Sequence, residues 1–229
     1  TTTNDASATG IGNTDSVYQA NTTAGFSIVT FSGTGSGMTV AHGLGGTPTL
    51  IISKSRNDTE NWAVHTTVID GSLDYLRLSE TDAAGNSGFS LPTSTVFGYN
   101  GSNNYVAYCF RSIQGYSKIG RYVGNGSTDG TFAYTGFKPA WVLVKSVDVA
   151  QSWQLSDSAR NPFNVVNRRL APNDTSAEST AHSWIDFLSN GFKIRINDAA
   201  YNNNGQKYLY IAFAENPFCS SKGVPTTAR

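Results

Sequence analysis

Trp184 and Tyr201 are the residues whose chemistry stands out first, because a run of three amides, Asn202, Asn203 and Asn204, follows directly on Tyr201. An aromatic ring offers the C–H face of a pyranose a stacking surface, while amide side chains donate to and accept from its hydroxyls. The five residues form the candidate ligand-contact set, with a sugar as ligand. The competing reading is a plain hairpin loop in which the same residues only turn the chain.

Other chemistries have weaker claims. Hydrolysis of a glycosidic bond needs two carboxyl groups set about 5 or 6.5–9.5 Å apart, one of them kept protonated. Asp70, Asp74, Asp157 and Asp186 are available, but no spacing selects a pair. The Gly-x-Ser-x-Gly turn of a serine hydrolase does not occur. His42, His65 and His182 are far apart, and "NDAAYNNN" has oxygen ligands without the spaced acids of a calcium loop. The expectation is therefore no catalytic residue, no metal and no cofactor. The two cysteines, Cys109 and Cys219, leave two readings open: a buried free thiol in a strand, or one disulfide between them.

Composition narrows the partners. Charged residues make up 14% of the 229, well below the roughly 25% of ordinary soluble domains, and Ser, Thr, Asn and Gly fill the gap. Acids and bases balance at 16 each, so there is no electrostatic footprint for nucleic acid or an anionic membrane. No apolar run approaches the ~20 residues of a membrane-spanning helix. With no initiator Met and no leader sequence, the chain reads as a processed product or a piece of a longer one.

The elements that must position these residues come in two copies. "TPTLIISKS" (47–55) and "KPAWVLVKS" (138–146) align at an offset of 91, as do Gly33 with Gly124, Gly45 with Gly136 and Trp62 with Trp153. Leu78 and Asp82 meet Leu170 and Asp174 at an offset of 92, and "YVAYCF" meets "YLYIAF" at 103. The second copy has thus gained about a dozen residues between Asp174 and Tyr208, and Trp184 lies among them. Short β-rich runs separated by Asn-Gly, Asp-Gly and Gly-Ser turns read as strands. No segment holds a sustained helical period; "SAESTAHSWIDFL" comes nearest, and its Ser and Thr content also fits loop plus strand. The fold expected is all-β, two tandem β-sandwich modules of jelly-roll or lectin-like type made by internal duplication. Their bounds are 28–113 and 114–218, with linker-like segments at 1–27 and 219–229. Trp62, Trp141 and Trp153 are expected in the core, and Lys54 and Lys145 as strand-end lysines that snorkel or pair with a carboxylate.

Taken together, several stretches resemble a family of bacteriophage virion proteins of tail-fibre type, found in marine and related phages. They are "VYQANTTAGFSIVTFSGTGSGMTVAHGLGGTPTLIISKSR", "NNYVAYCF", "QGYSKIGRYVGNGSTDG", "YTGFKPAWVLVKS", "LSDSARNPFNVVNRRL", "DFLSNGFKIR" and "YIAFAENPF". The resemblance implies a surface-exposed all-β module of a phage particle, bound to other virion proteins and assembled as a homo-oligomer, fibres of this type commonly being trimers. It carries over no catalytic residue. Three functions follow as expectations: adhesion to a host-surface glycan or protein, decoration of capsid or tail through contacts with virion proteins alone, and polysaccharide degradation by a tailspike. A solvent-facing cleft at Trp184 and the Asn run favours the first. A large apolar sheet face favours the second, and a groove with paired carboxylates the third.

Overall fold

Alternating apolar residues on short strands leave each sheet with one face to bury, and here the chain solves that problem twice. The computed structural model describes residues 1–217; Cys219, one half of the disulfide considered above, lies outside them. Unit 1 comprises Thr1–Leu78 and Gly85–Ser112, and unit 2 comprises Ser79–Ala84 together with the described residues from Ile113 onward.

In unit 1 the elements in chain order are β1 (Thr2–Asn4), α1 (Ala6–Thr9), β2 (Ser16–Asn21), β3 (Phe26–Ser32), β4 (Gly35–Ala41) and β5 (Leu50–Ser55). They continue as β6 (Ala63–Thr66), β7 (Asp74–Arg77), β8 (Gly85–Asn86), β9 (Val96–Gly101) and β10 (Asn104–Phe110). Eight strands form one antiparallel sheet in the order β1-β2-β3-β10-β5-β6-β7-β8, and β4 pairs with β9 separately. The core lies between the two layers. Val29, Phe31, Ile51, Ala107 and Cys109 come from the large sheet, and Met38, Val40, Phe97 and Tyr99 from the β4–β9 pair.

Unit 2 repeats the plan with β11 (Ser117–Val123), β12 (Phe132–Tyr134), β13 (Pro139–Ser146), β14 (Gln154–Asp157), β15 (Ile185–Leu188), β16 (Gly191–Ile194) and β17 (Lys207–Ala214). One sheet has the order β11-β17-β13-β14 and the other β12-β16-β15. Their facing residues, among them Tyr122, Val142, Tyr208 and Tyr210 against Ala133, Ile185, Phe187 and Phe192, make the second core. The molecule is all-β in character, built from antiparallel sheets that do not close into a barrel among the described residues.

The repeat seen in the sequence is also a repeat of register. In unit 1, Ile28, Tyr108 and Ile52 lie side by side across β3, β10 and β5. In unit 2, Ile119, Ile211 and Leu143 lie side by side across β11, β17 and β13, each at its offset of 91 or 103. Pro139 opens β13, where its missing N–H interrupts nothing, and the register shifts just after it.

The two rows differ in cover. Ile28 is 40% exposed, and Phe26, Ile52, Val106, Tyr108 and Phe110 on the same face are half-exposed. Phe26 packs on Phe110 with centroids 4.8 Å apart, and Trp62 stacks on Tyr108 at 6.2 Å, so the face is a continuous aromatic stripe. Ile119 is 3% exposed, and Ile211 and Leu143 are also buried. Lys145, next along β13 on that face, is fully buried. Its ammonium donates to the carbonyls of Thr81 (3.1 Å), Asp82 (2.8 Å) and Ser146 (2.9 Å). Ala84 N–H to Val147 O and Gln151 N–H to Thr81 O tie the same 79–84 segment into unit 2.

Several expectations need correction. Residues 1–27 are not a linker: β1 and β2 extend the large sheet, and α1 is capped by Asp5, whose carboxylate accepts from Ala8 N–H. A polar strand pairs as well as an apolar one where only one of its faces is covered, as the buried-exposed alternation of β2 shows. Trp153 is fully buried as expected, but Trp62 on the aromatic stripe and Trp141 on β13 are half-exposed. Lys145 is held by carbonyls rather than by a carboxylate. The stretch at 176–188 is loop followed by β15.

Candidate functional site

The expected sugar platform is turned inward. Trp184, just before β15, is 5% exposed and stacks on the fully buried Tyr201, with centroids 5.6 Å apart and planes at 26°. The His182 ring meets its edge at 5.0 Å, and its indole Nε1–H donates to Asn167 O at 3.0 Å. Structure thus brings Trp184 and Tyr201 together as core, which corrects the expectation of open ring faces. Their apolar area belongs to the unit 2 core.

Asn202 is corrected likewise. It is fully buried, donating from Nδ2 to Asn125 Oδ1 (2.9 Å) and Ser127 O (2.7 Å) and accepting at Oδ1 from Asn125 N–H (3.0 Å). This amide staples the loop after β11, and a Cβ on Gly124 would collide with the Asn203 carbonyl that lies against it. Asn203 is half-buried with its N–H given to Tyr208 Oη at 2.8 Å; Asn204 alone of the three is exposed.

What does open to solvent beside Trp184 is a polar cavity of about 240 Å³. It sits at the β14 edge of unit 2, where Leu155 and Leu170 bridge and Arg169 bridges Ser179. Gln151, Ser152 and Gln154 line it from β14 and the turn before it, Arg169 and Asp174 from the long loop after β14, and Asp198 and Ala200 from the loop before β17. The Arg169 guanidinium lies 5.0 Å from the Trp184 ring centroid and donates from Nη1 to Gln154 Oε1 at 2.7 Å. Gln154 is itself fixed by its Nε2–H bond to Ser152 O at 2.8 Å. Arg169 Nε is buried and makes no hydrogen bond. Asp174 Oδ1 accepts from Ser176 N–H, an interaction that holds this carboxyl below the usual range, and Asp198 Oδ1 accepts from Ala200 N–H. The second oxygen of each carboxylate stays outside these bonds.

The loop carrying Arg169 is anchored by a charge network. Arg160 bonds Asp157 at 2.6 Å and Glu178 at 2.7 Å, and Glu178 also takes Arg168 at 2.9 Å. Asp157 and Asp186, weighed above as catalytic acids, are spent on Arg160 and on Arg195 (3.4 Å). Asp70 accepts from Ser72, and Asp74 is buried in unit 1. No grouping of three His, Cys, Asp or Glu side chains suited to a metal exists among the described residues. His42 and His65 are buried in unit 1, and burial draws His65 down to about 4. Among the described residues the Cys109 thiol has no disulfide partner, and its burial pushes its pKa up.

Sequence reasoning missed Arg169, Gln151, Gln154 and Asp198. One signal was present: at the offset of 92, Arg169 corresponds to Arg77, whose guanidinium likewise lies over a ring, that of Tyr75 at 5.5 Å.

A family model described as a domain of unknown function (DUF7483) matches residues 2–217, and the chain belongs to that family. No curated protein and no solved structure gives a significant match.

Proposed function

We propose that this member of the DUF7483 family is a non-enzymatic structural protein of a bacteriophage virion, an appendage module of tail-fibre type that adheres to the host surface by non-covalent contacts. The resemblance of the sequence supplies the setting, and the polar cavity of unit 2 is the observation that carries the adhesive role. Its lining groups are fixed in advance by one another, as a recognition site requires, since little side-chain entropy is then lost on binding. Host-surface glycan is the partner such a lining suits, and other virion proteins hold the module on the particle, as a homo-oligomer.

A second reading, decoration of capsid or tail through virion proteins alone, draws on the half-exposed aromatic stripe of unit 1, a sheet face of the kind that packs against another chain. Cryo-electron microscopy of the intact particle separates the two. Adhesion requires the unit 2 cavity to face the medium at the tip or flank of an appendage; a chain sealed inside a joint, with the cavity covered, overturns it. Release of new reducing ends from host polysaccharide would instead establish the tailspike activity.

A further inference from the structure

We infer that the unit 2 cavity binds a single neutral polyhydroxyl ring, a pyranose presenting adjacent hydroxyls, with Arg169, Asp198 and Gln151 as its contacts. The inference rests on the adhesive reading above and gives it a ligand class. Size comes first. A volume of about 240 Å³ is below the roughly 300–1,000 Å³ of sites for larger ligands and corresponds to about eight waters at ~30 Å³ each, room for one ring rather than a chain.

Charge comes second. Asp174 and Asp198 outnumber Arg169, the cation in the lining, so an anionic ligand meets net repulsion. A cationic ligand meets the guanidinium, and the Trp184 face that would attract it is already occupied by Arg169 at 5.0 Å. An apolar ligand has only Trp184 and Ala200 to touch, both buried. A hydroxyl is donor and acceptor at once. It can give its proton to a carboxylate Oδ2 and take one from the guanidinium or an amide, and this wall offers both. The positioning is rigid: Arg169 is clamped between Trp184 and Gln154 Oε1 with its backbone paired to Ser179, and Asp198 is locked by Ala200 N–H.

The test uses the full chain and the Trp184 indole N–H resonance, assigned with Trp184→Phe. Methyl glycosides of glucose, galactose and mannose are titrated, with glucuronate and glucosamine as charged probes. At least one neutral glycoside should shift the resonance with a Kd on the order of 1–10 mM, the affinity of one small ring. Asp198→Asn keeps the oxygen that accepts from Ala200 N–H and should weaken binding about tenfold; Gln151→Ala, whose backbone bond to Thr81 is retained, should weaken it about fivefold. Both variants should melt with the parent. A resonance that no polyol moves, a shift indifferent to both variants, or tighter binding of either charged probe overturns the inference. If the cavity stays empty of sugars while the protein still attaches to host cells, this inference fails and adhesion stands; sugar binding without attachment fails the adhesive reading instead.

Discussion

Two rows of residues, Ile28–Tyr108–Ile52 in unit 1 and Ile119–Ile211–Leu143 in unit 2, occupy the same register of the same duplicated strands. One is a half-exposed aromatic stripe and the other is core. Part of the difference lies outside the strands. In unit 2 the neighbouring Lys145 is roofed by Thr81 and Asp82, a segment that carries no strand of its own. The two sheets therefore share register, while the cover over the Lys145 end of the outer face comes from a connecting segment.

The sharpest way to break this contrast is to place a charge on both rows. Ile119→Asp buries a carboxylate without a partner and should cost about 5 kcal/mol in urea unfolding, whereas Ile28→Asp should cost under about 1. If Ile28→Asp also dissociates an oligomer seen by ultracentrifugation, the stripe is an assembly face. Lysine truncation comes next. Lys145→Ala strands three carbonyls and leaves a void, for a loss of about 4 kcal/mol; Lys54→Ala, whose ammonium bonds one exposed carbonyl, should lie within ~0.5 kcal/mol of the parent.

Titration distinguishes the units at opposite ends of the pH scale. Burial holds His65 of unit 1 at about 4, below its ordinary 6.5, so the unfolded chain binds the extra proton between those values. Stability of unit 1 should fall as pH drops from 6.5 towards 4, by up to about 3 kcal/mol, read from amide exchange in β10. Burial lowers Lys145 of unit 2 to about 8, with Asp82 opposing, so it is still an ammonium at neutral pH. Stability of unit 2 should rise between pH 8 and 10.5, because there only the unfolded chain is protonated; exchange in β17 reports it. A small effect is expected from Glu178→Gln, a slight lowering of the melting temperature through loss of the Arg160 and Arg168 pairs that anchor the cavity loop. Matched melting of parent and variant would show that the loop holds without them.

Sequence reading reached the strands because repetition checks itself: Pro139, Lys145 and Trp153 each have a counterpart, and each lies in or beside a strand. It did not reach the burial of Trp184. A residue in an unmatched insertion has no second copy to reveal which way it faces, and an aromatic among Ser, Asn and Asp looks like a binding platform whether it points out or in. The cavity escaped for a related reason. Gln151, Arg169 and Asp198 converge only through the Leu155–Leu170 bridge and the loop before β17, contacts that leave no period in the chain. The 1–27 segment escaped because its strands are polar and lack a clear hydrophobic alternation.

The path of residues 79–84 has a genetic consequence. The roof over Lys145 is encoded within the first copy, upstream of its last strands β9 and β10, and not in the second. A gene cut at Ile113 would yield a second copy lacking the carbonyls of Thr81 and Asp82, and a first copy carrying a segment with nowhere to go. The two copies are alike in register, yet at residues 79–84 one copy completes the other, so neither half is self-sufficient as a unit of exchange.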